Sequence, residues 1–287
     1  ISGVISGTGG ITKIDNHGTW VLAGANTYSG ATNVSAGLFQ VGQGGAGQTG
    51  TGNVTVQSGA TLFGTGVVRG GSFTAVSGSS LHAGDSTAAG SFGTLNFTPA
   101  TGGGTHSLEG GVFLGIGTAN NQGGIDPTFG GNAVGTAGYF AFVNDPSRSL
   151  GTGAGSHDLL SFNAAADTTG YGLTVTGILQ VAGGGFTAQA GQVFNLLDWS
   201  SVVTADFAGF NVGDNYRDGS ADDAGQLNLP TLGAGLFWDV SQFTTSGVIV
   251  VVPEPGRALL LLLGVVGLLV RRRRPSARVC CQTCGLA

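Results

Sequence analysis

Asp158, Asp198, Asp206 and Asp239, with His17, His82, His106, His157 and Lys13, are the side chains through which residues 1–252 of this chain could do acid–base chemistry. Glycoside hydrolysis needs two carboxylates about 5–9 Å apart across a groove. Nothing in the spacing of these aspartates pairs any two of them. The histidines stand alone, with no H-E-x-x-H, H-x-x-E-H or serine–histidine–aspartate context. A polysaccharide lyase needs a basic group beside the proton it removes, and Lys13 lies before the first clear repeat. Arg69, Arg148 and Arg217 read as solvated surface positions. No catalytic residue and no cofactor is expected.

Two clusters invite metal binding. The run "GDNYRDGSADDAG" (213–225) carries Asp214, Asp218, Asp222 and Asp223 around glycines, a composition that could hold calcium through oxygen ligands. Its spacing does not follow the EF-hand order, and a solvated loop is the stronger reading. Cys280, Cys281 and Cys284 contain a C-x-x-C spacing, but a structural zinc site needs four ligands and no histidine is near. No metal is expected at either cluster; for the cysteines a tail without function is the stronger reading and lipidation the alternative.

The elements around these residues must come from an unusual composition. Of 287 residues 57 are glycine, with no three-residue period, so collagen is excluded; only 9% are charged, while apolar residues recur throughout. Residues 1–252 hold four basic and fourteen acidic side chains, a net −10, and residues 253–287 hold six arginines and one glutamate, a net +5. An acidic body so poor in lysine and arginine excludes nucleic acid as a partner. It also holds no cysteine, so packing and backbone hydrogen bonds must stabilise it. The start at Ile1, without methionine or a basic and apolar leader, is read as a fragment or processed form.

The first hundred residues repeat. "ATNVSAGLFQVG" (31–42), "GNVTVQSGATLFGTG" (52–66) and "GSFTAVSGSSLHAG" (71–84) each run strand, Ser/Ala-Gly turn, strand, Gly. Val34, Val56 and Val76 stand in one series and Leu38, Leu62 and Leu81 in another, at steps of about 20 residues, the period of a parallel β-helix. Val54, Val56, Leu62, Val67, Phe73, Val76 and Leu81 are expected to alternate into a narrow core, with glycines at the corners. The strand pattern continues through "GTLNFTP", "HSLEGGVFLGIG" and "GYFAFVND", with 117–135 as a long polar loop. "HDLLSFN", "YGLTVTGILQVAG", "GQVFNLLDW", "GLFWDVSQF" and "GVIVVV" make a second β region over 151–252, either continuing and capping the solenoid with large aromatics or forming a separate sandwich.

The stretch "VVPEPGRALLLLLGVVGLLVRRRR" (251–274) differs from all of this. Ala258–Val270 would rise about 20 Å as a helix, short of a hydrocarbon layer of about 30 Å unless Arg257 and Arg271 reach to the headgroups. Arginines 271–274 orient that end to the cytoplasm and the acidic body outward. A buried helix and a permanent anchor are the alternatives to a temporary one.

The order Val252-Pro253-Glu254-Pro255, apolar helix, Arg271-Arg272-Arg273-Arg274 resembles the PEP-CTERM sorting signal of diderm bacteria. The resemblance implies Pro253, Glu254 and Pro255 as the element read by an exosortase, 258–270 as a transient inner-membrane helix, and Arg271, Arg272, Arg273 and Arg274 as the stop signal. The tail 275–287 exceeds what that family usually carries. "GTWVLAGANTYSGATNVSAGLFQVG" (18–42) resembles the autotransporter-associated β-strand repeat at Trp20, Leu22, Gly24, Asn26, Thr27, Tyr28, Gly30, Thr32, Val34, Gly37, Leu38 and Val41. It implies a rung of a surface or secreted passenger, with Trp20 and Leu22 inward, Asn26 and Gly30 at the turn, and Leu38 and Val41 entering the next coil.

The expectation is therefore an all-β, right-handed parallel β-helix over 1–150, a continuing or capping β region over 151–252, a sorting signal over 253–274 and a cytoplasmic-side tail over 275–287. Its function is that of an exported structural protein of the surface or matrix, processed by exosortase and in contact with extracellular polysaccharide. An adhesin-like solenoid binding carbohydrate or cells is the alternative, and a β-helix enzyme a more distant one.

Overall fold

The computed structural model describes residues 1–88, 90–99, 104–117, 125–145, 148, 157–162, 170–199, 203–220 and 225–254. Ile1–Pro253 form one compact unit, a β-solenoid in which the chain lays short strands on parallel sheets coil after coil. Sheet A stacks Ile11–Lys13, Thr32–Val34, Val54–Val56, Phe73–Ala75, Thr105–Leu108, Tyr171–Val175 and Val203–Asp206. Sheet B stacks Thr19–Leu22, Gly37–Val41, Ala60–Gly64, Ser80–Ala83, Gly111–Ile116, Leu179–Gly183 and Leu227–Asn228. Sheet C closes the coil with Val67–Val68, Thr94–Phe97, Leu159–Phe162 and Leu197–Trp199. In the earliest coils this third side narrows to single bridges, Ala25 to Gln48 and Gln48 to Val67.

Register sets which residues meet. In sheet A, Thr32 lies on Val54, Val54 on Phe73 and Phe73 on His106. In sheet B one inward column runs Trp20, Phe39, Leu62, Leu81, Val112, Leu179, Leu227. All of these except Trp20 are buried, and each full burial of a side chain of this size is worth about 1.5–3 kcal/mol. Trp20 stands in the same column but in the outermost strand of the sheet, so no coil covers its far side and it is 38% exposed. Leu22 is fully buried beside it.

Three core assignments from the repeat are displaced by one residue. Leu38 pairs with Thr61 and is 37% exposed, while Phe39 takes the inward place above Leu62. Ala75, not Val76, follows Val56, and Val68, not Val67, is buried. Matching leucine to leucine and valine to valine aligned residue type rather than corners. Because side chains alternate along a strand, a slip of one position turns each to the other face.

Close approach of the coils explains one glycine plainly. A Cβ on Gly50 would overlap the carbonyl and the ring of Tyr28 in the coil before it. Tyr28 is itself buried, its hydroxyl 2.6 Å from Thr32 Oγ1.

The described residues between the sheet B strand ending at Ile116 and the sheet C strand starting at Leu159 depart from the coil. The segment 138–145, expected as strand, is instead an α-helix, Ala137–Val143. Thr136 caps it by accepting from the Tyr139 amide; Tyr139 and Val143, four residues apart, bury the same face, a spacing that fits a helix and not a strand. Within the expected polar loop 117–135, residues 118–124 lie outside the described residues, and Phe129–Gly131 form a 3-10 turn held by Asp126.

The last part of the unit adds a four-stranded antiparallel sheet in the order Val193–Asn195, Val248–Pro253, Leu236–Asp239, Tyr216–Arg217. From Val248 to Val252 this strand is buried on both faces, and Pro253 at its end is exposed. Ile249 and Val251 join the solenoid core with Trp238 and Phe194, whereas Val248, Val250 and Val252 pack against Phe129, Tyr139 and Val143 of the inserted segment. Phe186 stacks on Trp238 with ring centroids 5.6 Å apart.

No helix among the described residues is long and apolar enough to cross a membrane. The expected span 258–270, Pro255, Arg271, Arg272, Arg273, Arg274 and the cysteines lie outside the described residues. Pro253 ends the strand that pairs with Leu236.

Candidate functional site

Two surfaces of the coil present organised chemistry. The first is the outer face of sheet A. Residues alternating with its buried positions fall in register as Thr12, Asn33, Thr55, Thr74, Ser107, Thr174 and Asp206. Parallel strands place these side chains at steps of about 4.8 Å, giving a straight, mostly uncharged row of hydroxyl and amide groups. Beside it, Asn53 Oδ1 accepts from the Ser72 amide at 3.1 Å and Ser72 Oγ from the Thr105 amide at 3.2 Å, so the side chains at this edge tie successive coils together.

The second is a cleft of about 130 Å³ on the outer face of sheet B. Its floor is the outward column in which His82, Phe113 and Gln180 pair in turn. The His82 and Phe113 rings stack with centroids 4.5 Å apart and planes 9° from parallel. Above the floor passes the segment that follows Ser80–Ala83. Asp85 clips it to earlier coils, accepting from Thr65 Oγ1 at 2.7 Å and from the Gly44 amide at 2.8 Å. Ser86 and Thr87 of that segment line one wall, and Asp158 lines another.

Asp158 is buried, and each of its oxygens accepts a backbone N–H: Oδ1 from Gly93 at 2.9 Å and Oδ2 from Gly115 at 2.6 Å. Burial outweighs these two donors and pushes its pKa up to about 7. Burial also lowers His82 to about 4, keeping the imidazole neutral.

The other expected positions disperse. Asp198 pairs with Ser161 in sheet C, Asp206 turns back to the Ala208 amide, and Asp239 accepts from Tyr139 Oη at 2.5 Å and the Ser241 amide at 2.9 Å. Asp158 is the one aspartate of these four that lines the cleft. His106 sits in the core, its ring 5.7 Å from Phe97 and 4.6 Å from Tyr171 by centroids; burial, opposed by the Thr105 backbone, lowers its pKa to about 4. His157 is equally buried, with Nε2 2.8 Å from the Asn195 carbonyl oxygen, and is likewise lowered to about 4. His17 is exposed.

Two cations contradict their expected places. Lys13 belongs to the first sheet A strand and is fully buried along its stem; its ammonium donates to Asp15 Oδ1 at 2.9 Å and lies 5.5 Å from the centre of the Trp20 ring. Apolar stems with a charged tip can occupy the end of a core in this way. Arg217, expected on the surface, is 2% exposed in the antiparallel sheet opposite Trp238. Arg148 lies over the Phe142 ring, 4.4 Å from its centre.

Asp214 and Asp218 are described, Asp222 and Asp223 are not, and among the described residues no three His, Cys, Asp or Glu side chains gather to hold a metal. Asp218 serves the local chain, accepting from the Ser220 amide at 2.9 Å.

The repeat places Asn26 at a turn, and the structure gives it a larger role. Fully buried, it accepts from the Ile5 amide at 2.8 Å and donates to the Gln48 carbonyl at 2.7 Å, joining the coils on both sides of its own. Only the fixed place of "NTYSG" in the repeat hints at this.

A family model described as the passenger-associated-transport-repeat matches residues 8–41, the region that carries the expected autotransporter-associated repeat. Over 59 residues the chain is 42% identical to the adhesin BmaC autotransporter of Brucella suis biovar 1 (strain 1330), a match that covers 20% of this chain and 2% of that protein. No solved structure matches the chain.

Proposed function

We propose that this chain is an exported, adhesin-like β-solenoid that works at the cell surface through the outer face of sheet A. The observation that carries this reading is the unbroken row from Thr12 to Asp206, seven coils of mostly uncharged hydrogen-bonding groups held flat by parallel pairing. The match to the passenger repeat and the partial likeness to an autotransporter adhesin support it. A neutral polysaccharide of the matrix or of another cell is the partner such a row suits, because its many hydroxyls exchange water for equivalent protein partners without desolvating a charge. Nucleic acid is not a partner of this acidic body.

The structural-protein reading differs in needing no partner at the row. Replacing Thr55 and Thr74 together by glutamate separates the two. Capture of the full chain by neutral polysaccharide or whole cells falls at least tenfold if the row is the contact surface. Unchanged capture with unchanged unfolding overturns the adhesin reading.

In this proposal residues 151–252 continue and cap the solenoid, whose coils wind right-handed. Pro253, Glu254 and Pro255 are read by an exosortase-like enzyme at the outer face of the inner membrane of a diderm bacterium, after 258–270 has served as a transient anchor and Arg271–Arg274 as its stop. The support is the order of these segments in the sequence. Intact-mass measurement of the exported protein tests it: loss of the chain beyond the Pro253–Pro255 region is the expected result, and recovery of the arginines and cysteines in the exported form overturns it.

A further inference from the structure

The cleft above sheet B differs in kind from the sheet A row: it is concave, small and walled on one side by a looped-out segment. Among the described residues that line it there is neither lysine nor arginine, so an anionic ligand would find no countercharge. Its two ionisable residues, His82 and Asp158, are both partly withdrawn from water and held toward their neutral forms near pH 7. The floor is the stacked pair of His82 and Phe113 rings, a mainly carbon strip with the imidazole nitrogens on it, while Gln180, Thr87 and Asp158 bring an amide, a hydroxyl and a carboxyl to its borders. A volume of about 130 Å³ holds several waters and leaves room for one small ring rather than a chain. An apolar strip rimmed by uncharged donors and acceptors fits a molecule that is apolar on one face and hydroxylated around its edge.

We propose that this cleft binds one neutral pyranose ring, its carbon-bound hydrogens over His82 and Phe113 and its hydroxyls toward Gln180, Thr87 and the Asp158 carboxyl. The proposal rests on the reading of the chain as a surface contact module, and gives it a second, shape-selective contact on a different sheet from the row. The row would hold a polymer along many coils; the cleft would select the sugar at one point.

The test is titration of the full chain with glucose, galactose, mannose and N-acetylglucosamine at millimolar concentration, followed by amide NMR. At least one of them is expected to shift the signals of residues 82, 113, 180 and 182. Ala182, half-buried at the edge of the cleft, can be enlarged to fill it: Ala182→Leu is expected to weaken binding at least tenfold, as is Gln180→Ala, which removes a polar border group without adding bulk. Ser35→Ala, at an exposed position outside both surfaces, leaves it unchanged. Absence of any shift from all four sugars, shifts confined to the sheet A row, or tighter binding of glucuronate or inorganic phosphate at the same residues would each overturn the proposal. Capture of polysaccharide that survives Ala182→Leu but not the Thr55/Thr74 double substitution, with no sugar shifting the cleft signals, sinks the cleft alone. Sugar binding in the cleft with capture unaffected by the double substitution sinks the sheet A reading alone.

Discussion

Asn26 and Gln48 exchange side-chain hydrogen bonds across one coil step: Asn26 Nδ2 donates to the Gln48 carbonyl at 2.7 Å, and Gln48 Nε2 donates to the Asn26 carbonyl at 2.8 Å. Strand pairing is reduced to isolated bridges on this side of the early coils, and the two amides supply the cross-links that a sheet would otherwise provide.

Asn26→Ala therefore leaves the Ile5 amide and the Gln48 carbonyl without their partner. The expected cost is about 2–4 kcal/mol in denaturant unfolding, since orphaned buried groups each forfeit about 1–3 kcal/mol. Gln48→Ala, which removes a single donor from a half-buried position, costs about 1 kcal/mol.

Gly50→Ala is expected to destabilise more than an ordinary turn substitution, by at least about 2 kcal/mol, because the new methyl group meets Tyr28 backbone and ring at once. Tyr28→Leu in the same chain opens the ring side of that contact and should recover part of the loss, measurable as a non-additive double-mutant cycle.

Acid should loosen the coil through its buried histidines. His106 and His157 have folded pKa values lowered to about 4 from the ordinary 6.5, so the unfolded chain binds their protons first. Their contribution is fully present above pH 6.5 and is lost as pH falls toward 4, each by up to about 3 kcal/mol. Asp158 acts oppositely: with a folded pKa raised to about 7 from 3.8, its contribution is present below pH 3.8 and lost as pH rises through 7. His106→Phe should flatten the acid limb of a stability-versus-pH curve, and Asp158→Asn should remove the opposing slope between pH 4 and 7. An unchanged curve in His106→Phe would show that this histidine does not titrate on unfolding.

Tyr139→Phe deletes the hydroxyl that donates to buried Asp239. The expected loss is about 1–3 kcal/mol, the cost of leaving a buried acceptor without its partner. It should appear first in the antiparallel sheet: hydrogen exchange at Val248–Pro253 and Leu236–Asp239 speeds up while sheets A and B keep their protection.

The coil was legible from sequence because its steps recur and its side chains alternate; Val54, Val56, Leu62, Phe73 and Leu81 are all buried as the repeat implies. Register was less legible. Leu38 and Phe39 are both apolar neighbours after Gly37, and only the pairing of Gly37 with Ala60 decides which of them faces in. The helix Ala137–Val143 was hidden because Tyr139, Phe140, Phe142 and Val143 satisfy a strand reader's taste for aromatic and β-branched residues, whereas its signal is the Thr136 cap and the four-residue spacing. The cleft joins Thr87, Phe113 and Asp158 from separate coils, and a pattern of local repeats carries no information on which looped-out segment folds over which face. Asp158 is visible in the sequence as a carboxylate, but its two backbone donors, Gly93 and Gly115, are distant in the chain and invisible until the coil is closed.

Val248–Pro253 lies between Val193–Asn195 and Leu236–Asp239, hydrogen-bonded along both edges and gripped from both faces. A pull applied to Pro253 along the strand would act in shear, stretching its inter-strand bonds together rather than unzipping them singly. The end of the solenoid thus meets tension along this strand with many bonds loaded at once.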